Sequence, residues 1–221
     1  MIKDLFRYCD DIGMFASDRP INDVGSVKGS CDHRTDFCDE PCYNLKLYRM
    51  YPNMGKRDER CEKEWQVVTG EAVKTWFSRK KKQTKRARHM TRGEALKDLS
   101  DIYRVKDIAL ATPETTWRIP TRAWRNTLLR ELIQIELFPI PNIALNASLD
   151  PSNTRDEEDG LIDDGWNIMY FGDDTKYAGK GEAFKCPKTW KKMSGHCAVC
   201  KAGCFSQTTI GKRVTVHLSS H

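Results

Sequence analysis

Seven of the nine cysteines in this 221-residue chain fall in two short segments, Cys31-x6-Cys38-x3-Cys42 near one end and Cys186-x10-Cys197-x2-Cys200-x3-Cys204 near the other. Any fold the chain adopts has to account for three thiols in one place and four in another. No stretch approaches the ~20 consecutive apolar residues that a membrane-spanning helix needs. The start Met1-Ile2-Lys3-Asp4 lacks the basic-then-apolar layout of a secretion signal. A cytoplasmic protein without a membrane partner is expected. A reducing compartment disfavours disulfides and makes clustered thiols metal ligands. The odd cysteine count argues the same way, and a chain that is 39% hydrophobic does not need staples to fold.

Three soft thiolates close together hold a four-iron cluster and leave one iron open, or supply most of a zinc site completed by His33. The neighbours Asp32, His33, Arg34, Thr35, Asp36, Asp39 and Glu40 are too polar for a core, so metal binding is the better reading of Cys31, Cys38 and Cys42. Four thiolates close the coordination shell of a zinc ion or of a four-iron cluster, and His196 stands beside Cys197 as a spare ligand. Spacing leaves zinc and iron-sulfur open at Cys186, Cys197, Cys200 and Cys204. Cys9 and Cys61 fit neither set and read as structural thiols, one in an N-terminal helix and one near a helix start.

Residues 1–30 read as a lead-in, residues 31–185 as an α/β core, and residues 186–221 as a C-terminal four-cysteine module with a last strand. From Glu62 to Ser78 the apolar positions Trp65, Val68, Ala72, Val73, Trp76 and Phe77 recur at helical steps. Thr91-Arg92-Gly93-Glu94 has the form of a capping box, which predicts a helix from there with Ala95, Leu99, Ile102 and Tyr103 on one side. Trp117–Arg122 reads as a strand, and Trp124, Leu128, Leu132 and Ile135 as one face of a helix stopped by Pro139 and Pro141. Asn142–Leu149 reads as a buried strand, Pro151–Gly165 as loop or weak helix, Trp166–Phe171 as a buried strand and Arg213–His217 as a last one. Strand, helix and strand in about thirty residues is the size of a crossover unit with parallel strands. The fold class expected is α/β, a partial (βα) barrel or an open, mostly parallel sheet, with a Cys-rich metal-binding loop and the C-terminal module outside it. Chemistry then belongs at the carboxyl ends of the strands, at Arg122, Asn146, Ser148, Asp150, Asp173 and Asp174.

The net charge of +6 is local: residues 79–92 hold eight basic residues and no acid, and the rest of the chain is slightly acidic. Such a segment meets phosphates through counterion release, with Lys80, Lys81, Lys82, Lys85, Arg86 and Arg88 as the candidate contacts. A solvated helix face or loop is the alternative, since no aromatic residues interleave with the run.

Cys31 to Tyr43 with its Cys-x6-Cys-x3-Cys-Tyr ending, the segment Trp117–Asp150, the segment Trp166–Asp174 and the tail from Cys186-Pro187 to Val214-Thr215-Val216-His217 resemble the phage gene-product-88-like family, whose members look like small relatives of radical SAM enzymes. The resemblance covers about two-thirds of the chain. It implies a partial βα barrel in which Cys31, Cys38 and Cys42 bind a [4Fe-4S] cluster that chelates S-adenosylmethionine, with Tyr43, Asn146 and Asp150 as candidate cofactor contacts. Cys186, Cys197, Cys200 and Cys204 would hold an auxiliary cluster. Reduction of such a cluster cleaves the sulfonium and releases a 5′-deoxyadenosyl radical, the cofactor carrying the chemistry and the protein orienting it. The glycine-glycine-glutamate segment that grips the methionine amine in those enzymes is absent, since Gly70-Glu71 and Gly93-Glu94 both fall in segments read as helical. The implied setting is the cytoplasm of a phage-infected host and the implied substrate a nucleic acid or nucleotide. The competing function is a non-catalytic iron-sulfur or zinc protein that binds nucleic acid or a host protein.

Overall fold

The computed structural model describes residues 2–39, 42–82, 84–172, 183–191, 197–207 and 214–219. The strands are β1 (Phe6–Cys9), β2 (Met14–Ser17), β3 (Arg86–Arg88), β4 (Thr116–Thr121), β5 (Ile143–Leu149), β6 (Asn167–Gly172), β7 (Phe184–Lys185) and β8 (Thr215–Ser219). The helices are α1 (Asp36–Asp39), α2 (Tyr43–Met50), α3 (Pro52–Val67), α4 (Gly70–Ser78), α5 (Leu99–Ala111), α6 (Thr127–Leu137), α7 (Arg155–Asp163) and α8 (Pro187–Lys191). All eight strands join one sheet in the order β1-β2-β3-β4-β5-β6-β8-β7. β1 and β2 pair antiparallel and every other neighbouring pair is parallel. The expected α/β class with an open, mostly parallel sheet is what forms. From β2 to β6 the strands follow chain order, and crossovers of one hand then put their helices on one side of the open sheet.

The two-residue period of a strand separates two kinds of side chain. Ala87, Trp117, Ile119, Ile143, Leu145, Ala147, Leu149, Ile168 and Tyr170 join a single core with Trp65 of α3, Val73 of α4, Ile102 and Ile108 of α5, Ile133 and Leu137 of α6 and Leu161 of α7. Each large apolar chain buried there contributes about 1.5–3 kcal/mol. The alternate positions, Arg86, Arg88, Arg118, Asn146, Ser148, Asn167 and Met169, face the other way. One face is therefore a hydrocarbon core, and the other is polar and cationic.

Several elements depart from their sequence reading, each for a local reason. The lead-in contributes β1 and β2, so Cys9 lies in a strand, not a helix. The helix read across 62–78 breaks at Val68. Thr69 caps α4, and Gly70 sits so close to α5 that a Cβ would lie 2.3 Å from the Asp107 carbonyl oxygen. The capping box at Thr91 does not form, because the Thr91 hydroxyl bonds Asp18 and Gly93 takes φ 77°. The helix starts instead at Leu99 behind an Asp98 cap; Ala95 and Ile102 are buried, but Leu99 and Tyr103 are half exposed. Trp124 occupies a separate turn at Ala123–Arg125, and the new cap at Asn126 re-phases the helix that follows. Leu128 and Ile135 consequently point to solvent while Ile133 and Leu137 are buried. The acidic stretch is a regular helix, α7, with a Thr154/Glu157 capping box. Arg213, Asp173, Asp174 and His196 lie outside the described residues.

Two charged residues directly after β2 clamp the first crossover. Asp18 meets Arg57 at 2.6 Å, Arg7 at 3.0 Å and Arg92 at 3.2 Å. Burial alone would raise its pKa, but these guanidiniums, Arg92 foremost, hold it below the ordinary carboxylate value. Arg19 reaches Glu62 of α3 through two bonds of 2.7 and 2.8 Å and Asp101 of α5 at 2.6 Å, with all three side chains buried. Removing one member of such a buried group strands the others without counter-charge. Arg19→Met is therefore expected to cost about 3–5 kcal/mol in chemical denaturation, while Arg60→Ala, which breaks an exposed pair with Asp4, leaves the midpoint nearly unmoved. Equal effects would contradict this account of the clamp.

Candidate metal centres

The first cysteine loop hangs from the carboxyl end of β2 and folds back over the ends of β3, β4 and β5. Its anchors are polar. The Ser30 hydroxyl donates to the Pro20 carbonyl at 2.8 Å and accepts from the Glu94 amide at 2.9 Å. Thr35 accepts from the Cys38 amide at 3.1 Å and donates to Asp150 at 2.6 Å. Arg122, just past β4, lies 2.7 Å from the same Asp150 oxygen. Asp150 is fully buried; its hydrogen bonds from Ser152 and Thr35 and the Arg122 charge outweigh burial and lower its pKa. Its carboxylate thus holds the loop to the strand ends.

Cys31, Cys38 and Cys42 line one cavity of about 190 Å³ together with Gly93, Glu94 and Ser148. A single water occupies only roughly 10–15 Å³ on that measure, so the space takes an occupant larger than one ion. The thiols are electrostatic neighbours: burial, then Glu94, Cys38 and Cys42, push Cys31 up to about 12. Binding a metal would have to displace those protons. Gly93-Glu94, read from sequence as helical, is instead a loop at the cavity wall. The Glu94 carboxylate accepts from the Leu96 amide at 3.1 Å and from the Arg122 amide at 2.8 Å, which fixes its orientation at the cavity wall. Tyr43 opens α2 directly after Cys42, and its side chain lies outside the described residues.

The second set of thiols lies against the polar face of the sheet. Arg86 donates to the Cys197 and Cys200 carbonyls at 3.1 and 2.8 Å and stacks over Phe205. Asn146 donates to the Cys204 carbonyl at 3.1 Å and Asn167 to the Ser206 carbonyl at 2.9 Å. Cys197, Ala198 and Phe205 pack on Cys9, Ile12, Met14 and Ala16. Burial raises the thiols of Cys197 and Cys204, with Arg118 opposing it and the charges of Cys186 and Cys200 adding to it. The four cysteines therefore share one neighbourhood. Asn146 serves this module and not the first cavity, and Arg86 faces it instead of solvent. Arg88 lines the first cavity. The basic run thus divides: Lys81, Lys82 and Lys85 are exposed, while Arg86 and Arg88 are turned inward.

Arg118, at the centre of β4, is the residue that sequence reasoning passed over. It is 6% exposed, its Nη2 contacts only the Met169 sulfur at 2.9 Å, and its Nε has no hydrogen-bond partner. Among the described residues it makes no ion pair. A buried, uncompensated guanidinium is costly, and the sulfurs of Cys197 and Cys204 are near enough for its charge to oppose the rise that burial gives their thiols. Four metal-bound thiolates would supply net negative charge where Arg118 lacks it. Among the described residues no three His, Cys, Asp or Glu side chains converge in an arrangement that would hold a single metal ion. Cys61, by contrast, is enclosed in α3 with its thiol donating to the Asp4 carbonyl at 3.2 Å, a structural role.

No family model matches the chain, and the searches of curated proteins and of solved structures return no significant match.

Replacing Arg118 with Gln keeps a donor and removes the charge. Metal retention at the C-terminal site is expected to fall roughly 10- to 100-fold, the usual effect of losing a residue that supports metal ligands, measured as metal remaining after dialysis against chelator. Retention equal to wild type would show that the charge plays no part there.

Proposed function

We propose that this is an iron-sulfur protein of the radical SAM kind, with Cys31, Cys38 and Cys42 holding a four-iron cluster and Cys186, Cys197, Cys200 and Cys204 holding a second metal centre, a cluster or zinc. The observation that carries the reading is the meeting of three loop thiols with Gly93-Glu94 in one cavity at the carboxyl ends of parallel strands, the place where sheets of this kind put their chemistry. Three protein thiolates leave one iron of a four-iron cluster open, whereas four close the shell.

S-adenosylmethionine bound at such an open iron supplies, on reduction, a 5′-deoxyadenosyl radical that takes a hydrogen atom from a substrate. The chain's own residues do the positioning. Glu94 presents a fixed carboxylate to an ammonium group, its orientation set by the Leu96 and Arg122 amides. Asp150 and Thr35 hold the loop that carries Cys38. Met90 and Pro120 give the cavity an apolar wall that limits water.

The test uses protein purified without oxygen. Iron and sulfide should be present, and S-adenosylmethionine with dithionite should yield 5′-deoxyadenosine. Cys38→Ser should abolish that product, and Glu94→Gln should weaken S-adenosylmethionine binding by roughly 10- to 100-fold, the worth of a hydrogen bond to a charged group. Iron-loaded protein that yields no product above background would overturn the catalytic reading in favour of a non-catalytic metal protein, and a colourless protein holding only zinc would overturn the cluster as well.

A further inference from the structure

The exposed end of the basic run does not stand alone in space. Its sequence contains no interleaved aromatic residue, yet the fold sets rings from three other elements beside it. A groove of about 330 Å³ at the outer edge of the sheet is lined by Phe6, Tyr8, Phe15 and Trp76 together with Arg7, Lys80, Lys81 and Lys82. Phe6 and Phe15 are buried and form its floor; their centroids lie 5.5 and 5.2 Å from that of Trp76, which fixes the indole in place. Trp76 and Tyr8 are only half-buried, so they keep surface toward the groove. The Lys80 ammonium lies 3.9 Å from the Trp76 centroid, and the Lys82 ammonium 3.7 Å from the Tyr8 centroid. Lys82 also meets Asp10 at 3.1 Å, while Arg7 is engaged by Asp18.

We propose that this groove binds single-stranded nucleic acid, the Lys80 and Lys82 ammoniums lifting from the Trp76 and Tyr8 faces to meet phosphates beside Lys81 while bases take their place on the rings. Two ingredients define such sites: cations that follow the backbone and aromatic faces on which bases stack. Here Trp76 and the lysines come from α4 and the residues directly after it, and folding brings Tyr8 of β1 beside them. Duplex DNA offers its phosphates to the lysines but keeps its base faces inside its own stack, so the rings discriminate against it. An acidic peptide would satisfy the lysines and leave the rings unused. The groove is built without any cysteine, so its binding does not depend on the metal centres.

The experiment is a titration of the full chain with a labelled oligothymidylate, followed by anisotropy at several salt concentrations, beside a duplex of equal length and a polyglutamate. The single strand is expected to bind at least tenfold more tightly than either competitor. Changing Lys80, Lys81 and Lys82 together to Gln should weaken binding at least tenfold and reduce the salt slope by about two, given about 0.7 per phosphate contact on a single strand. Trp76→Leu should weaken binding roughly tenfold, the scale of one lost base stack, with the slope unchanged. Tyr8→Leu, on the edge strand, should do the same and covers the case in which the tryptophan variant fails to fold. Equal affinity for single strand and duplex, equal affinity for polyglutamate, or ring variants that bind like wild type would each overturn the proposal. None of those results touches the reading of the cysteine sites, which is judged on iron content and product.

Discussion

A guanidinium enclosed in the middle of a parallel sheet needs negative charge within reach, and Arg118 meets none from a described carboxylate. Around Arg118 stand Arg86, Asn146 and Asn167, all donating to backbone carbonyls of the segment that carries Cys197, Cys200 and Cys204. The C-terminal module is thus hydrogen-bonded to the sheet by its main chain, which leaves its thiols for another task. Were the face merely structural, an apolar residue at position 118 would serve it better.

The two cysteine sets are neighbours on this face. Asn146 supports Cys204, and Ser148, the next side chain of β5 on the same side, lines the cavity of Cys31, Cys38 and Cys42. Side chains two apart on a strand are separated by roughly 7 Å. Chain-order winding makes this possible, since helices kept to one side leave the other open from β2 to β8. The clamp at Asp18 and Arg19 then fixes where the first loop departs, because both residues tie the end of β2 to α3, α5 and the loop after β3. The electrostatics at the carboxyl ends hold the scaffold, and the cavity beside them inherits that rigidity.

Much of the architecture was legible. The strands read at 117–122, 142–149 and 166–171 stand within one residue of their sequence bounds, because β-branched and aromatic residues bounded by turn signals mark them. Helix phase was not legible: nothing short of the Asn126 cap tells that Leu128 faces water and Ile133 the core. The site was legible in its cysteines, which are chemically conspicuous, and not in its supporting residues. Glu94 was hidden by a motif that reads as a helix cap until Asp18 takes the Thr91 hydroxyl. Arg118 had a signal, a charge in the centre of a strand otherwise read as stiff and apolar. Trp76 had one, standing four residues before Lys80 at the end of a helical segment, whereas Tyr8 had none, because its meeting with Lys82 is a product of tertiary structure.

The central claim is that the polar face of the sheet exists to hold inorganic charge carried by thiolates. Diffraction data recorded on either side of the iron absorption edge, from crystals grown without oxygen, test it most directly. The account predicts anomalous iron density inside the cavity of Cys31, Cys38 and Cys42, and metal density among Cys186, Cys197, Cys200 and Cys204 within reach of Arg118. Thiols joined as cystines, or standing apart with no metal between them and a carboxylate closing on Arg118, would contradict it.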